Sequence, residues 1–238
     1  MKAMILAAGR GERMRPLTDK TPKPLLSLGS ETLIERHIRR LQAKGFYEIV
    51  INCAYLGKQI QDFLDDGSRY GVSIAYSDEG EQGLETAGGI ATALPLLGDE
   101  PFLVVNGDIL TNIDFQAALL IASTLKTGSL KAHLWLVPNP PHHPQGDFGI
   151  DIQGCLTQQS PCYTFSGVAV YHPIFFEEVS ANEKKPLAPL LRQGAEQNTI
   201  TATLTDSLWL DVGTPERLKM AQTIVQEVDK IHSLFEAP

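Results

Sequence analysis

Short apolar runs alternate with polar stretches of helical spacing along the first 137 residues. Met4-Ile5-Leu6-Ala7-Ala8 is an unbroken apolar run ending at Gly9, the pattern of a buried strand. Over 31–44, Leu33, Ile34, His37, Ile38 and Leu41 fall on one helical face, and Gly45 is a natural stop. The same reading predicts a strand over 48–52 and a helix over 56–64 with Leu56, Ile60, Phe63 and Leu64 facing in. A strand over 72–76, a helix after Thr86, a strand over 101–105, a helix over 114–123 and a strand over 130–137 follow.

Strands alternating with helices imply βαβ units and a largely parallel sheet. Phe102-Leu103-Val104-Val105 is apolar at every position, as a strand covered on both faces should be. The pattern changes at Pro138-Asn139-Pro140-Pro141-His142-His143-Pro144, which must be a loop. Beyond it, 149–152, 156–159 and 163–171 read as antiparallel strands. A helix over 187–195, strands over 200–204 and 207–210 and a helix from Thr214 complete the chain. With no repeat and no long linker, a single α/β domain is expected: a first half, 1–137, and a strand-rich second half, 138–238.

Composition narrows the function. The 238 residues are 43% hydrophobic, which excludes intrinsic disorder, and carry a net charge of −8, which argues against a nucleic-acid partner. The three cysteines, Cys53, Cys155 and Cys162, form no CxxC and suit reduced thiols in the cytoplasm. The apolar run over 3–8 is too short to span a bilayer, so no membrane partner is expected.

The richest segment joins the first strand to Gly9-Arg10-Gly11-Glu12-Arg13-Met14-Arg15-Pro16-Leu17-Thr18. Backbone N–H groups freed in a glycine-containing loop can cradle an anion. Met14 stands where the dinucleotide fingerprint requires its third glycine, and the Gly-Lys-Ser/Thr of a P-loop is absent. A plain surface turn carries about equal weight for Gly-Arg-Gly alone. Proline on both sides of Lys23 predicts an extended backbone that presents one point charge at a fixed place. Asn106-Gly107-Asp108 follows an apolar strand, and Trp209-Leu210-Asp211-Val212-Gly213 repeats that arrangement. Two carboxylates at strand ends suit a Mg²⁺ shared with phosphates. As single residues they read equally as turn or cap positions, Asp211 ahead of Thr214-Pro215-Glu216 above all.

Taken together, residues 6–18 with Pro22-Lys23-Pro24-Leu25 resemble the sugar-1-phosphate nucleotidyltransferases. The resemblance implies a Rossmann-like, doubly wound sheet with a sugar-binding second half, of the nucleotide-diphospho-sugar transferase type. The reaction it implies joins an NTP and a sugar 1-phosphate and releases pyrophosphate. It assigns Arg15 and Lys23 to phosphate contacts, Asp108 and Asp211 to Mg²⁺, and Leu6, Ala7, Ala8, Gly9, Gly11 and Asn106 to the nucleotide. Glu79, Glu85 and Thr86 fall at the base-recognition segment, and Asp147, Ser166 and Gly167 on the sugar side.

Further motifs cover nearly the whole chain: Asp66-Gly67-Ser68-Arg69-Tyr70-Gly71, Leu84-Glu85-Thr86, Asn139 with His142-His143, Gly146-Asp147-Phe148, Thr164-Phe165-Ser166-Gly167 and Trp209-Leu210-Asp211-Val212-Gly213-Thr214. They resemble the branch that uses UTP and N-acetylmuramate 1-phosphate in cell-wall sugar recycling. Ala87 and the added length at Gln82-Gly83 depart from that branch beside the base site. Alternatives are a mannose-1-phosphate guanylyltransferase, a glucose-1-phosphate uridylyl- or thymidylyltransferase, and an inactive sugar-nucleotide-binding subunit. A glycosyltransferase would carry Asp-x-Asp where Asn106-Gly107-Asp108 stands.

Overall fold

The computed structural model describes the backbone of residues 1–235 and the side chains through residue 228. Its first half supplies β1 (Ala3–Leu6), α1 (Leu33–Ala43), β2 (Glu48–Cys53), α2 (Gly57–Leu64), β3 (Ser73–Asp78), α3 (Glu85–Leu97), β4 (Phe102–Asn106) and α4 (Ala117–Thr127). The second half adds β5 (Ala132–Val137), β6 (Thr164–Tyr171), α5 (Leu187–Glu196), β7 (Ile200–Leu204) and α6 (Pro215–Phe235). These seven strands form one sheet in the order β7-β5-β6-β4-β1-β2-β3. Only β6 runs antiparallel to its neighbours, β4 and β5. The remaining pairs are parallel.

Both faces of the sheet are buried. Ile5, Leu103 and Val105 belong to one core and Met4, Phe102 and Val104 to the other, as two-residue strand periodicity requires. A third cluster packs Met14, Leu28, Leu33, Leu110, Val212 and Leu218 together, so the loop after β1 is anchored by its own methionine. A Thr32–Glu35 capping box starts α1. Among the described residues, no helix is long and apolar enough to cross a membrane.

Several boundaries differ from expectation for local reasons. The first strand ends at Leu6, not Ala8: Gly107 N–H takes the Leu6 carbonyl at 2.9 Å, and Ala7 N–H turns to the Asn52 side chain at 2.8 Å. Phe63 lies in α2 but does not face in; it is 37% exposed, with the Arg69 guanidinium 4.7 Å from its ring centroid. The helix expected from Asp114 begins at Ala117, because Asp114 stays outside and accepts from Gln116 N–H. The strand expected over 149–152 shrinks to Gly149–Ile150, and Ile152 lies exposed in the turn beyond.

Candidate active site

The sheet order reverses direction at β1, with β2 and β3 on one side and β4 on the other. The carboxyl ends of these parallel strands therefore open a crevice, the usual ligand position in such sheets. A cleft of about 330 Å³ lies there. Leu6, Ala7, Ala8, Gly9 and Arg10 form one wall, and Asn106, Gly107 and Asp108 another. Asn52, Glu79, Gln82, Gly83, Glu85 and Thr86 line the side toward α3. Gly107 permits this closeness, since a Cβ there would stand 2.6 Å from the Leu6 carbonyl oxygen. Glu85 enters α3 with φ +58°, a left-handed conformation that is unusual for a residue with a side chain.

Lys23 reaches the same cleft. It sits in the 3-10 turn Lys23–Leu25, not in the extended conformation expected from its flanking prolines. Leu25 N–H bonds the Pro22 carbonyl and Leu26 N–H bonds the Lys23 carbonyl, which closes the turn. The side chain is 8% exposed, and its Nζ lies 2.6 Å from Asp108 Oδ2. The proline-flanked turn thus delivers one nearly desolvated ammonium to one carboxylate.

Asp211 stands beside Asp108 without lining the cleft itself. Trp209–Asp211 pairs antiparallel with Ile109–Thr111, and Val212 N–H donates to the Asp108 carbonyl at 2.9 Å. Arg217 Nη1 approaches Asp211 Oδ2 to 3.0 Å and His142 Nε2 to 2.6 Å. Partial burial, and then the Arg217 charge, lower the His142 pKa, so its neutral ring can accept that bond. The guanidinium of Arg13 borders the same spot, 3.0 Å from where a Gly213 Cβ would stand.

No group of three or more His, Cys, Asp or Glu side chains gathers among the described residues. Mg²⁺, however, needs only one or two carboxylates beside phosphates and waters. Asp108, in the turn after β4, and Asp211, at the end of Trp209–Asp211, are two carboxylates brought close by the pairing with Ile109–Thr111, and each faces a cation that compensates its charge.

Other expected residues lie elsewhere. Arg15 is exposed and pairs with Asp19 at 2.6 Å, outside the cleft. Gly11 packs its left-handed backbone against Thr18 and Lys23, supporting the loop without lining the cleft. Asp147 is held by His143 Nε2 at 3.0 Å and Phe165 N–H at 2.8 Å. Ser166 is fully buried beside the bulge in β6, and its carbonyl accepts from Trp209 Nε1. Gly167 packs against Asn106, where any Cβ would collide. None of these last three residues lines the cleft.

Arg13, Asn52, His142, Arg217 and Lys184, which lines the cleft, were not among the expected site residues. Arg13 could have been found, because it is one of the three arginines in the glycine-containing loop after the first strand. Glu79 is 8% exposed and accepts from Asn52 Nδ2 at 2.5 Å and from Leu84 N–H at 2.7 Å. Burial raises its pKa, and those two hydrogen bonds oppose the rise.

A family model described as nucleotidyl transferase matches residues 2–153. N-acetylmuramate alpha-1-phosphate uridylyltransferase of Neisseria meningitidis serogroup B is 57% identical over 227 residues, covering 94% of this chain and 98% of that protein. The protein of the same name from Caulobacter vibrioides is 30% identical, covering 94% of this chain and 97% of its own. Among solved structures, an apo-UDP-glucose pyrophosphorylase superposes with a TM-score of 0.76 at 18% identity, covering 96% of this chain and all of that one. At that identity the likeness concerns the fold.

Proposed function

The chain belongs to the nucleotidyl transferase family, and from that premise we propose that it transfers the uridylyl group of UTP to N-acetylmuramate α-1-phosphate, forming UDP-N-acetylmuramate and pyrophosphate. The near-full-length match to N-acetylmuramate alpha-1-phosphate uridylyltransferase carries the choice of base and sugar. The product is an activated cell-wall sugar, which fits a role in peptidoglycan recycling in the cytoplasm.

The reaction is an in-line displacement. A phosphate oxygen of the sugar 1-phosphate attacks the α-phosphorus, the bond to the bridging oxygen breaks, and pyrophosphate leaves with that electron pair. The nucleophile is ionised at neutral pH, so no general base is required. Lys23 neutralises charge where the α-phosphate and the incoming phosphate meet. The backbone of residues 7–10 lines the cleft, and its N–H groups beyond Ala7 are suited to cradle the triphosphate. Arg10 lines the cleft and Arg13 borders Asp211, so both stand ahead of Arg15 for the leaving pyrophosphate. Arg15 could reach it only by releasing Asp19. A bound Mg²⁺ would be held by Asp108 and Asp211 and would offset repulsion between the two phosphate groups.

N-acetylmuramate carries a lactyl carboxylate in addition to its phosphate, so the sugar side must accommodate a second anion. Arg217 suits that need: its side chain is 12% exposed, and its Nε is buried without a protein partner. Arg217→Met is expected to raise KM for N-acetylmuramate 1-phosphate about tenfold or more, as loss of a charged hydrogen bond would. N-acetylglucosamine 1-phosphate, lacking the carboxylate, should lose less. Equal loss on both sugars would assign Arg217 to Asp211 alone. The reading itself is tested by incubating the chain with UTP, N-acetylmuramate 1-phosphate and Mg²⁺ and looking for UDP-N-acetylmuramate by mass spectrometry.

A further inference from the structure

Three hydrogen bonds run across the carboxyl ends of β1, β2 and β3. Ala7 N–H, the first donor beyond the β1 ladder, donates to Asn52 Oδ1 at 2.8 Å. That bond fixes the orientation of the amide and leaves Nδ2 to donate to Glu79 Oε1 at 2.5 Å. Glu79 Oε2 in turn accepts from Leu84 N–H at 2.7 Å. Ala7 lies in the loop beside the triphosphate position, and Leu84 immediately precedes α3 on the base side.

We propose that Asn52 is a positioning residue for the nucleotide: with Glu79 it straps the base-side loop over 80–84 to the root of the loop after β1, holding the two ends of the nucleotide site in register. The inference rests on the nucleotide-binding reading of the cleft and names residues that act through others. Two glycines make room for the strap. A Cβ at Gly89, in the first turns of α3, would overlap Glu79 Oε1 and stand 3.0 Å from Asn52 Nδ2. Gly83, at φ +65°, passes between Glu79 Oε2 and the Ala8 carbonyl, each within 3.8 Å of where its Cβ would be.

The chemistry of the strap argues for more than packing. Asn52 is 3% exposed and Glu79 8% exposed, and both hydrogen-bond partners of the carboxylate are neutral. A buried carboxylate held only by neutral donors costs stability compared with an apolar filling. Its return is geometric, because its two oxygens accept from two separate chain segments at once. Both oxygens already serve protein donors, so Glu79 acts first on the loop and only through it on the base.

The test is a polarity swap. Asn52→Asp sets two carboxylates face to face, and Glu79→Gln sets amide against amide. In the Asn52→Asp/Glu79→Gln double variant, a carboxylate at 52 accepts from Ala7 N–H and from the new amide at 79, whose oxygen accepts from Leu84 N–H. All three bonds can form again at unchanged net charge. Each single variant is expected to raise KM for UTP about tenfold, with a smaller change in kcat, and to weaken the preference for UTP over dTTP and CTP. The double variant should recover both to within about threefold. Hydrogen exchange at the Leu84 amide should be slow in the wild type, fast in each single variant and slow again in the swap.

Folded single variants with wild-type KM, or a double variant no better than the worse single, would overturn the proposal. If Asn52→Asp does not fold, folding regained in the double variant is the supporting result, and its failure the opposing one. Should the wild type form no UDP-sugar, the proposed function falls, while the exchange pattern at Leu84 still decides the strap.

Discussion

Lys23→Ala is expected to lower turnover at saturating UTP and sugar phosphate by roughly 10²–10³, by analogy with removing one preorganised charge-stabilising donor. The size of the effect follows from where the ammonium sits. It is 8% exposed, held by a proline-flanked turn and 2.6 Å from Asp108, so little water screens it and little reorganisation precedes its use. Charge that builds up at the α-phosphorus as the two phosphates meet is what such a group offsets. The loss should appear in kcat, not only in KM, because the interaction strengthens in the transition state. Lys23→Arg should recover little, since a planar guanidinium does not fit the space of a compact ammonium. Near-normal turnover of a folded Lys23→Ala protein would remove Lys23 from the reaction.

The second large effect concerns the metal. Chelation with EDTA is expected to abolish uridylyl transfer, and added Mg²⁺ to restore it. Asp108→Asn should reduce turnover by roughly 10² or more and raise the Mg²⁺ concentration needed for half-maximal rate. The strand register ties Asp108 to Asp211: Val212 N–H bonds the Asp108 carbonyl, so moving one strand end moves the other. Titrating Mg²⁺ against rate for the wild type and both Asp→Asn variants is the check. Full activity in excess EDTA would show that the two carboxylates serve their cation partners and nothing more.

Much of this could be read before the fold was known. The strand–helix alternation of the first half is nearly complete in the apolar pattern, because parallel strands buried on both faces show as short unbroken apolar runs. Lys23 and Asp108 were legible because each sits in an unusual local context, between prolines and after Asn106-Gly107. Arg15 stands outside the cleft, since Asp19, four residues on, pairs with it, and the chain pattern does not reveal that pair. Ser166, which the resemblance puts on the sugar side, is fully buried beside the β6 bulge, with its carbonyl bound to Trp209 Nε1, and nothing in the chain pattern shows that burial. Asn52 and Arg217 were invisible for another reason. Their roles depend on Ala7, Glu79 and Leu84 in one case and His142 and Asp211 in the other, partners far apart in sequence until the sheet brings them together.

The central claim is tested most directly by competition among substrates. The purified chain, with Mg²⁺, is offered UTP, dTTP, GTP and ATP against the 1-phosphates of N-acetylmuramate, N-acetylglucosamine, glucose and mannose, with pyrophosphate release as the readout. UTP with N-acetylmuramate 1-phosphate should give the highest kcat/KM of all pairs. A clear preference for GTP with mannose 1-phosphate, or for dTTP or UTP with glucose 1-phosphate, would contradict the account.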